Sequence, residues 1–189
     1  GCSVAGAGDV DGDGFDDLLL GASGNDAGGG NAGAAYLIHG PVTGELDLAV
    51  ADVRLTGEDS GDQAGWSTST AGDVNGDGLD DLLVGAFGND LGGGNAGAAY
   101  LLLGPVTADL SLSASHARLL GEDTLDTAGS SVASAGDVDG DGLDDLLVGS
   151  PASDLGGSGS VVAYLVFGPV TGDLDLAGAD ARLIGDASD

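Results

Sequence analysis

The chain has 189 residues, with 32 acidic side chains against three arginines and no lysine, giving a formal net charge of −29 at pH 7. Such a balance repels phosphate backbones and anionic lipid, which excludes electrostatic binding of nucleic acid or membrane surfaces and favours cationic partners, divalent metals above all. A hydrophobic fraction of 42% sets it apart from a disordered acidic tail, and 39 glycines argue against a helical protein, because each interior Gly costs a helix about 1 kcal/mol relative to Ala.

In chain order, Cys2 comes first; it has no cysteine partner in the chain and aligns with Trp66 and Ser130 as a variable strand position. The segment GDVDGDGFDDLLLGA at 8–22 follows, then the Gly-rich GGGNAG at 28–33, Tyr36, His39, Gly40-Pro41 and Arg54. The whole order then repeats with a period of 64: GDVNGDGLDDLLVGA at 72–86, GDVDGDGLDDLLVGS at 136–150. The same offset carries Asp26 to Asp90 and Asp154, and Arg54 to Arg118 and Arg182, so every cation in the chain is one repeat position. Each unit holds four short apolar stretches. In the last unit they are Ser131–Ala135, Asp145–Gly149, Val161–Phe167 and Ala181–Ile184, separated by Gly, Asp, Asn, Ser and Pro clusters that read as turns between strands. Four strands per unit, at a period above the ~40–50 residues of common propeller repeats, predict an all-β protein of four-stranded, propeller-type blades with one enlarged loop. The units are 1–64, 65–128 and 129–189 of one repeat region, which starts and stops within a unit. Two explanations of those ends stand open: an excerpt of a longer array, or head-to-tail self-association through incomplete repeats. No apolar run reaches the roughly 20 residues that span a bilayer and no basic-then-apolar leader opens the sequence, so no membrane insertion is expected.

The acidic nonapeptide carries the chemistry. Side-chain oxygens fall at positions 1, 3, 5 and 9: Asp9, Asp11, Asp13 and Asp17; Asp73, Asn75, Asp77 and Asp81; Asp137, Asp139, Asp141 and Asp145. Gly at positions 4 and 6 lets the backbone curl, and position 7 (Phe15, Leu79, Leu143) can offer its carbonyl. This is the oxygen-only, six- or seven-coordinate shell that Ca²⁺ prefers, with position 9 bidentate; Mg²⁺ wants a stricter octahedron, and zinc wants clustered Cys or His. An EF-hand would need Glu at position 12, where Leu20, Val84 and Val148 stand. Like charges about 4 Å apart repel by on the order of 4 kcal/mol at an effective dielectric of 20, so an empty loop should push itself open and the metal is expected to be required for folding.

The run from Gly129 to Pro151, GSSVASAGDVDGDGLDDLLVGSP, resembles an FG-GAP repeat, the blade unit of the integrin alpha-subunit β-propeller and of many bacterial surface and secreted proteins. The resemblance covers essentially the whole chain in three copies. It implies that each loop joins the first two strands of a blade and binds one Ca²⁺. Ala64 and Ala128 stand at the Phe of the FG signature, which weakens an integrin-like ligand function but not the blade assignment. The family's propellers have seven blades, and this chain encodes about three.

His39 and His116 have Leu103, Phe167, Asp52 and Asp180 as repeat counterparts, and no Ser or Cys stands in a nucleophile elbow, so no enzyme activity is expected. The arginines are expected to pair with carboxylates between blades rather than to bind an anionic ligand, and the GGGNAG stretches to form mobile or closely packed hairpin loops. The functional expectation is an extracellular calcium-binding module for adhesion or scaffolding that presents its loops to a protein or glycan; a self-assembling filament or surface-layer subunit is the alternative. Eleven of the 32 acids are predicted ligands.

Overall fold

In a computed structural model, residues 2–153, 155 and 160–185 are described. Gly1, Asp154 and Asp189, which take part in the repeat alignment and its ends, lie outside them. The described residues form β-strands and short 3-10 turns, with no α-helix among them. β1 (Ser3–Gly8), β2 (Asp17–Ala22), β3 (Ala34–Ile38) and β4 (Val53–Thr56) make the first sheet. The second holds β5 (Ser67–Gly72), β6 (Asp81–Ala86) and β7 (Ala98–Leu102); the two-residue β8 (Leu110–Ser111) precedes its last long strand, β9 (Ala117–Leu120). The third holds β10 (Ser131–Gly136), β11 (Asp145–Ser150), β12 (Val162–Val166), the short β13 (Leu174–Asp175) outside it, and β14 (Ala181–Ile184). All four strands expected in the last unit are present, two running one residue further and one, Val162–Val166, a residue shorter at each end.

Within each sheet the long strands are antiparallel neighbours in chain order. The short strands do something different. β8 leaves its own sheet and pairs in parallel with β4, Leu55 opposite Leu110, and β13 pairs likewise with β9, Leu119 opposite Leu174. Each sheet is thereby stitched to the one before it.

The apolar cores lie between sheets. One cluster joins Leu19, Leu37 and Leu55 of the first sheet to Leu82, Val84 and Tyr100 of the second. The other joins Leu83, Leu101 and Leu119 of the second to Leu146, Val148 and Tyr164 of the third. Successive strand residues point to opposite faces, so Leu82 and Leu83 serve different cores, and β6 is buried along its whole length while β2 alternates. Close packing of the sheets needs small residues at the seam. A Cβ on Gly21 would sit 1.9 Å from the Gly65 carbonyl oxygen, and one on Gly85 2.1 Å from that of Gly129. The Gly-rich hairpin loops are packed in the same way: a Cβ on Gly28 or Gly92 would lie 2.2 Å from the carbonyl of Gly57 or Gly121.

Candidate metal centre

Each acidic loop connects the first two strands of its sheet, and a bulge aims it. The β1–β2 register shifts between Gly6 and Gly8, β5–β6 between Thr70 and Gly72, and β10–β11 between Ser134 and Gly136. The last glycine of each strand has φ between +69° and +76°, a left-handed conformation that turns the chain into the loop.

Inside the loop, carboxylates organise the backbone. Asp9 Oδ1 accepts from the amides of Gly12 and Asp13 (2.8 and 3.1 Å), and its Oδ2 from Gly14 (3.0 Å). Asp11 and Asp13 each accept one amide two residues on, from Asp13 and Phe15. The second loop repeats the pattern through Asp73, Asn75 and Asp77, and the third through Asp137, Asp139 and Asp141. These turns draw the oxygens together. Carboxylate oxygens of Asp9, Asp11 and Asp13 lie within 4.8 Å of one another, as do those of Asp137, Asp139 and Asp145. Asp17 and Asp141 stand outside these groups. In the second loop Asn75 replaces an acid, and its amide Nδ2 donates to Asp77 Oδ2 at 2.9 Å. Phe15, Leu79 and Leu143 donate their own amides to the position 5 carboxylate at 2.9 Å, which fixes the peptide just before the one whose carbonyl was expected to face the cation.

Position 9 is the anchor of the loop. Asp17, Asp81 and Asp145 are fully buried. Both oxygens of Asp81 accept backbone N–H groups, from Val74 at 3.0 Å and from Gly104 beyond β7 at 2.9 Å; Asp17 and Asp145 do the same with Val10 and Gly40, and with Val138 and Gly168. Burial pushes the Asp81 carboxyl up to about 6, against the pull of those two amides and with help from Asp77 and Asp73. Burial raises Asp17 as well. Each carboxylate oxygen has two lone pairs, so an oxygen that accepts one N–H can still ligate a cation.

The donor set fits a hard cation. It is made of oxygen, it is wrapped by glycines at positions 4 and 6 with φ between +78° and +93°, and its acids are crowded at distances where a divalent charge relieves their repulsion. One neighbour escaped the sequence reading. His39 Nδ1 lies 3.6 Å from Asp11 Oδ2, and its Nε2 lies 3.2 Å from the Val106 carbonyl oxygen. No signal marks it, since Leu103 and Phe167 hold the same place in the other units.

The arginines lie at the seams between sheets. Arg118 meets Glu58 at 3.1 Å on one side and Asp173 at 2.6 Å on the other, while Tyr100 Oη donates to Glu58 at 3.1 Å. Arg182 meets Glu122 at 3.5 Å, and Arg54 meets Asp109 at 3.9 Å. Cys2 lies just before β1 with its Sγ 3.0 Å from the Gly65 carbonyl oxygen.

Three stacked sheets of antiparallel long strands, each with an acidic loop after its first strand, define a class of β-repeat protein in which the loop and the sheet form one unit. Residues 3–38, 64–102 and 128–164 match the FG-GAP repeat, and the chain belongs to that family. It is similar to integrin alpha-PS2 of Drosophila melanogaster, 35% identical over 156 residues, which is 77% of this chain and 11% of that protein. Integrin alpha-IIb of Homo sapiens is 37% identical over 117 residues, 59% of this chain and 11% of that protein. Phosphatidylinositol-glycan-specific phospholipase D of Bos taurus is 34% identical over 169 residues, 82% of this chain and 19% of that protein. The chain thus spans between a tenth and a fifth of the length of these relatives. Among the described residues, no helix is long and apolar enough to cross a membrane.

Proposed function

We propose that the chain is a calcium-binding module, one Ca²⁺ per loop, that works outside the cell in adhesion or as a scaffold for a protein or glycan, and that it is not an enzyme. The observation that carries the reading is the convergence of Asp9, Asp11 and Asp13, and of Asp137, Asp139 and Asp145, on points that backbone amides have already organised. Asp17, Asp81 and Asp145 would complete the shells, with Asp73, Asn75 and Asp77 holding the second ion and Asp141 contributing to the third. The carbonyls of Phe15, Leu79 and Leu143 would add the last protein ligand. Bound calcium would supply the positive charge that holds each loop closed, and so fix the first hairpin of each sheet. The integrin alpha similarity supports an adhesive setting, and millimolar calcium outside cells suits sites of moderate affinity.

Thermal melting with calcium, with magnesium and with EDTA tests the reading. Each site held at 100 times its dissociation constant adds about 2.7 kcal/mol, so calcium should raise the melting temperature well above the value in EDTA, and magnesium should do so less. A melting temperature indifferent to all three refutes it. Molar mass at several protein concentrations, read in the same buffers, separates a monomeric module from a head-to-tail calcium-dependent polymer.

A further inference from the structure

We infer that Asp80 and Asp144, at position 8 of the second and third loops, are positioning residues that couple each calcium loop to the one before it, so that the sites fill cooperatively; this rests on the calcium reading above. Asp80 Oδ2 accepts the backbone amide of Asp9 at 2.9 Å, and the amide of Asp80 donates to the Asp9 carbonyl oxygen at 3.2 Å. Asp144 grips Asp73 in the same two ways, at 2.9 and 3.1 Å. The gripped residue is position 1 of the preceding loop, whose carboxylate organises three of that loop's amides.

The neighbouring residue tightens the fit. Leu79 lies over Gly12 so closely that a Cβ there would be 3.0 Å from its Cδ2, and Leu143 lies over Gly76 at the same distance. Gly8 and Gly72 leave room for the clamp, since a Cβ on either would be 2.1 or 2.0 Å from the Oδ2 of Asp80 or Asp144. The third loop supplies the contrast: Gly136 and Gly140 face open space, and Val138 is 53% exposed where Val10 and Val74 are fully covered. Positions 7 and 8 therefore act across the seam, while the side chains of positions 1, 3, 5 and 9 act within their own unit. Closing one loop on its ion fixes the peptide of position 7, and with it the carboxylate that holds position 1 of the previous loop. A free-energy coupling of this kind is reciprocal, so filling either loop favours the other.

Titration with calcium chloride, followed through the amide signals of Gly14, Gly78 and Gly142, reads the three loops separately, because these amides donate to Asp9, Asp73 and Asp137. In the wild-type protein the curves should be steeper than independent binding allows. D80A should weaken the first loop roughly tenfold, the loss expected for a hydrogen bond to a charged group, and flatten the curves. D80N keeps an acceptor oxygen and should recover most of that loss. D16A changes position 8 of the first loop, which has no preceding loop among the described residues, and should titrate as wild type. In metal-free protein the Asp9 amide should exchange faster with solvent in D80A than in D16A. Calcium binding with independent curves, and D80A indistinguishable from D16A, overturns the coupling and leaves the calcium sites standing. A wild-type protein that takes up no calcium overturns the calcium reading itself, and the coupling with it.

Discussion

Replacing Gly85 by alanine tests whether the sheets are packed as closely as described. The added methyl would lie 2.1 Å from the Gly129 carbonyl oxygen and 2.2 Å from Ser67 Oγ. Ser67 can rotate away, though it then gives up its 2.8 Å bond to that same carbonyl. The carbonyl belongs to the chain entering β10 and cannot move alone, so the second and third sheets must part by roughly an ångström. Such overpacking costs about 1–3 kcal/mol, and the lost hydrogen bond about 1 more, for a total near 3 kcal/mol. In a protein of this size that lowers the melting temperature by roughly 6–12 °C. Gly149 is the internal control. It occupies the same place in the third sheet, yet the nearest atoms to its Cβ all belong to Ser131, the closest being the hydroxyl at 2.1 Å. G149A should cost less than about 1 kcal/mol, because a hydroxyl rotates where a neighbouring main chain does not. Calorimetric melting of both variants in saturating calcium decides the matter. Equal shifts, or a G85A protein that melts with the wild type, would refute the seam as the source of the glycine requirement.

The other predictions concern charge. With its carboxyl near 6 in the fold and 3.8 as the ordinary value, Asp81 favours the folded state most below about pH 4, and that contribution, at most about 3 kcal/mol, is lost as pH rises to about 6; the calcium-free wild type should lose stability across this window more steeply than D81N, and parallel slopes would count against burial as the cause. R118A cuts contacts to Glu58 and Asp173 in two other units and should cost about 1–2 kcal/mol by chemical denaturation, whereas R54A, whose partner Asp109 is 3.9 Å away and exposed, should stay within about 0.5 kcal/mol. N75D removes the amide that donates to Asp77 and gives the second loop a fourth acid at its ligand positions, so calorimetric titration should show tighter calcium binding alongside a lower melting temperature in EDTA; weaker binding would mean that Asn75 is needed as an amide.

Much of the fold is legible in the sequence because a 64-residue period repeats each signal three times, and a turn or strand seen once is confirmed twice. The acidic loop, its glycines and the four strands of the last unit all come from that repetition. What escapes is whatever acts across the seam. β8 and β13 are two residues long, too short to carry any periodicity, and their partners lie in another unit. The pairing of arginines with carboxylates between units is foreseeable from composition, but the choice of Glu58 for Arg118 is not. Leu82 and Leu83 read as one apolar run, with nothing to say that they face different neighbours. Asp80 beside Asp81 looks like a solvated companion of a ligand, because a motif counts the oxygens of its own loop and cannot see the amide of Asp9, 71 residues away. His39 is hidden for the opposite reason: it occurs in one unit only, so repetition discards it.

The placement of the cores between sheets has a consequence for how such a protein can evolve. Val10, Leu37 and Leu55 in the first core are replaced in the second by Val74, Leu101 and Leu119, and Leu82 and Tyr100 by Leu146 and Tyr164, all one period on. Both interfaces are therefore copies of a single design, with a front face and a back face carried on every unit. A duplication or deletion of one whole 64-residue block rejoins a front to a back and invents no contact, whereas any other length sets mismatched faces against each other. The gene can lengthen or shorten in that one step size, and sequence drift within the middle block is checked by the neighbours on both sides.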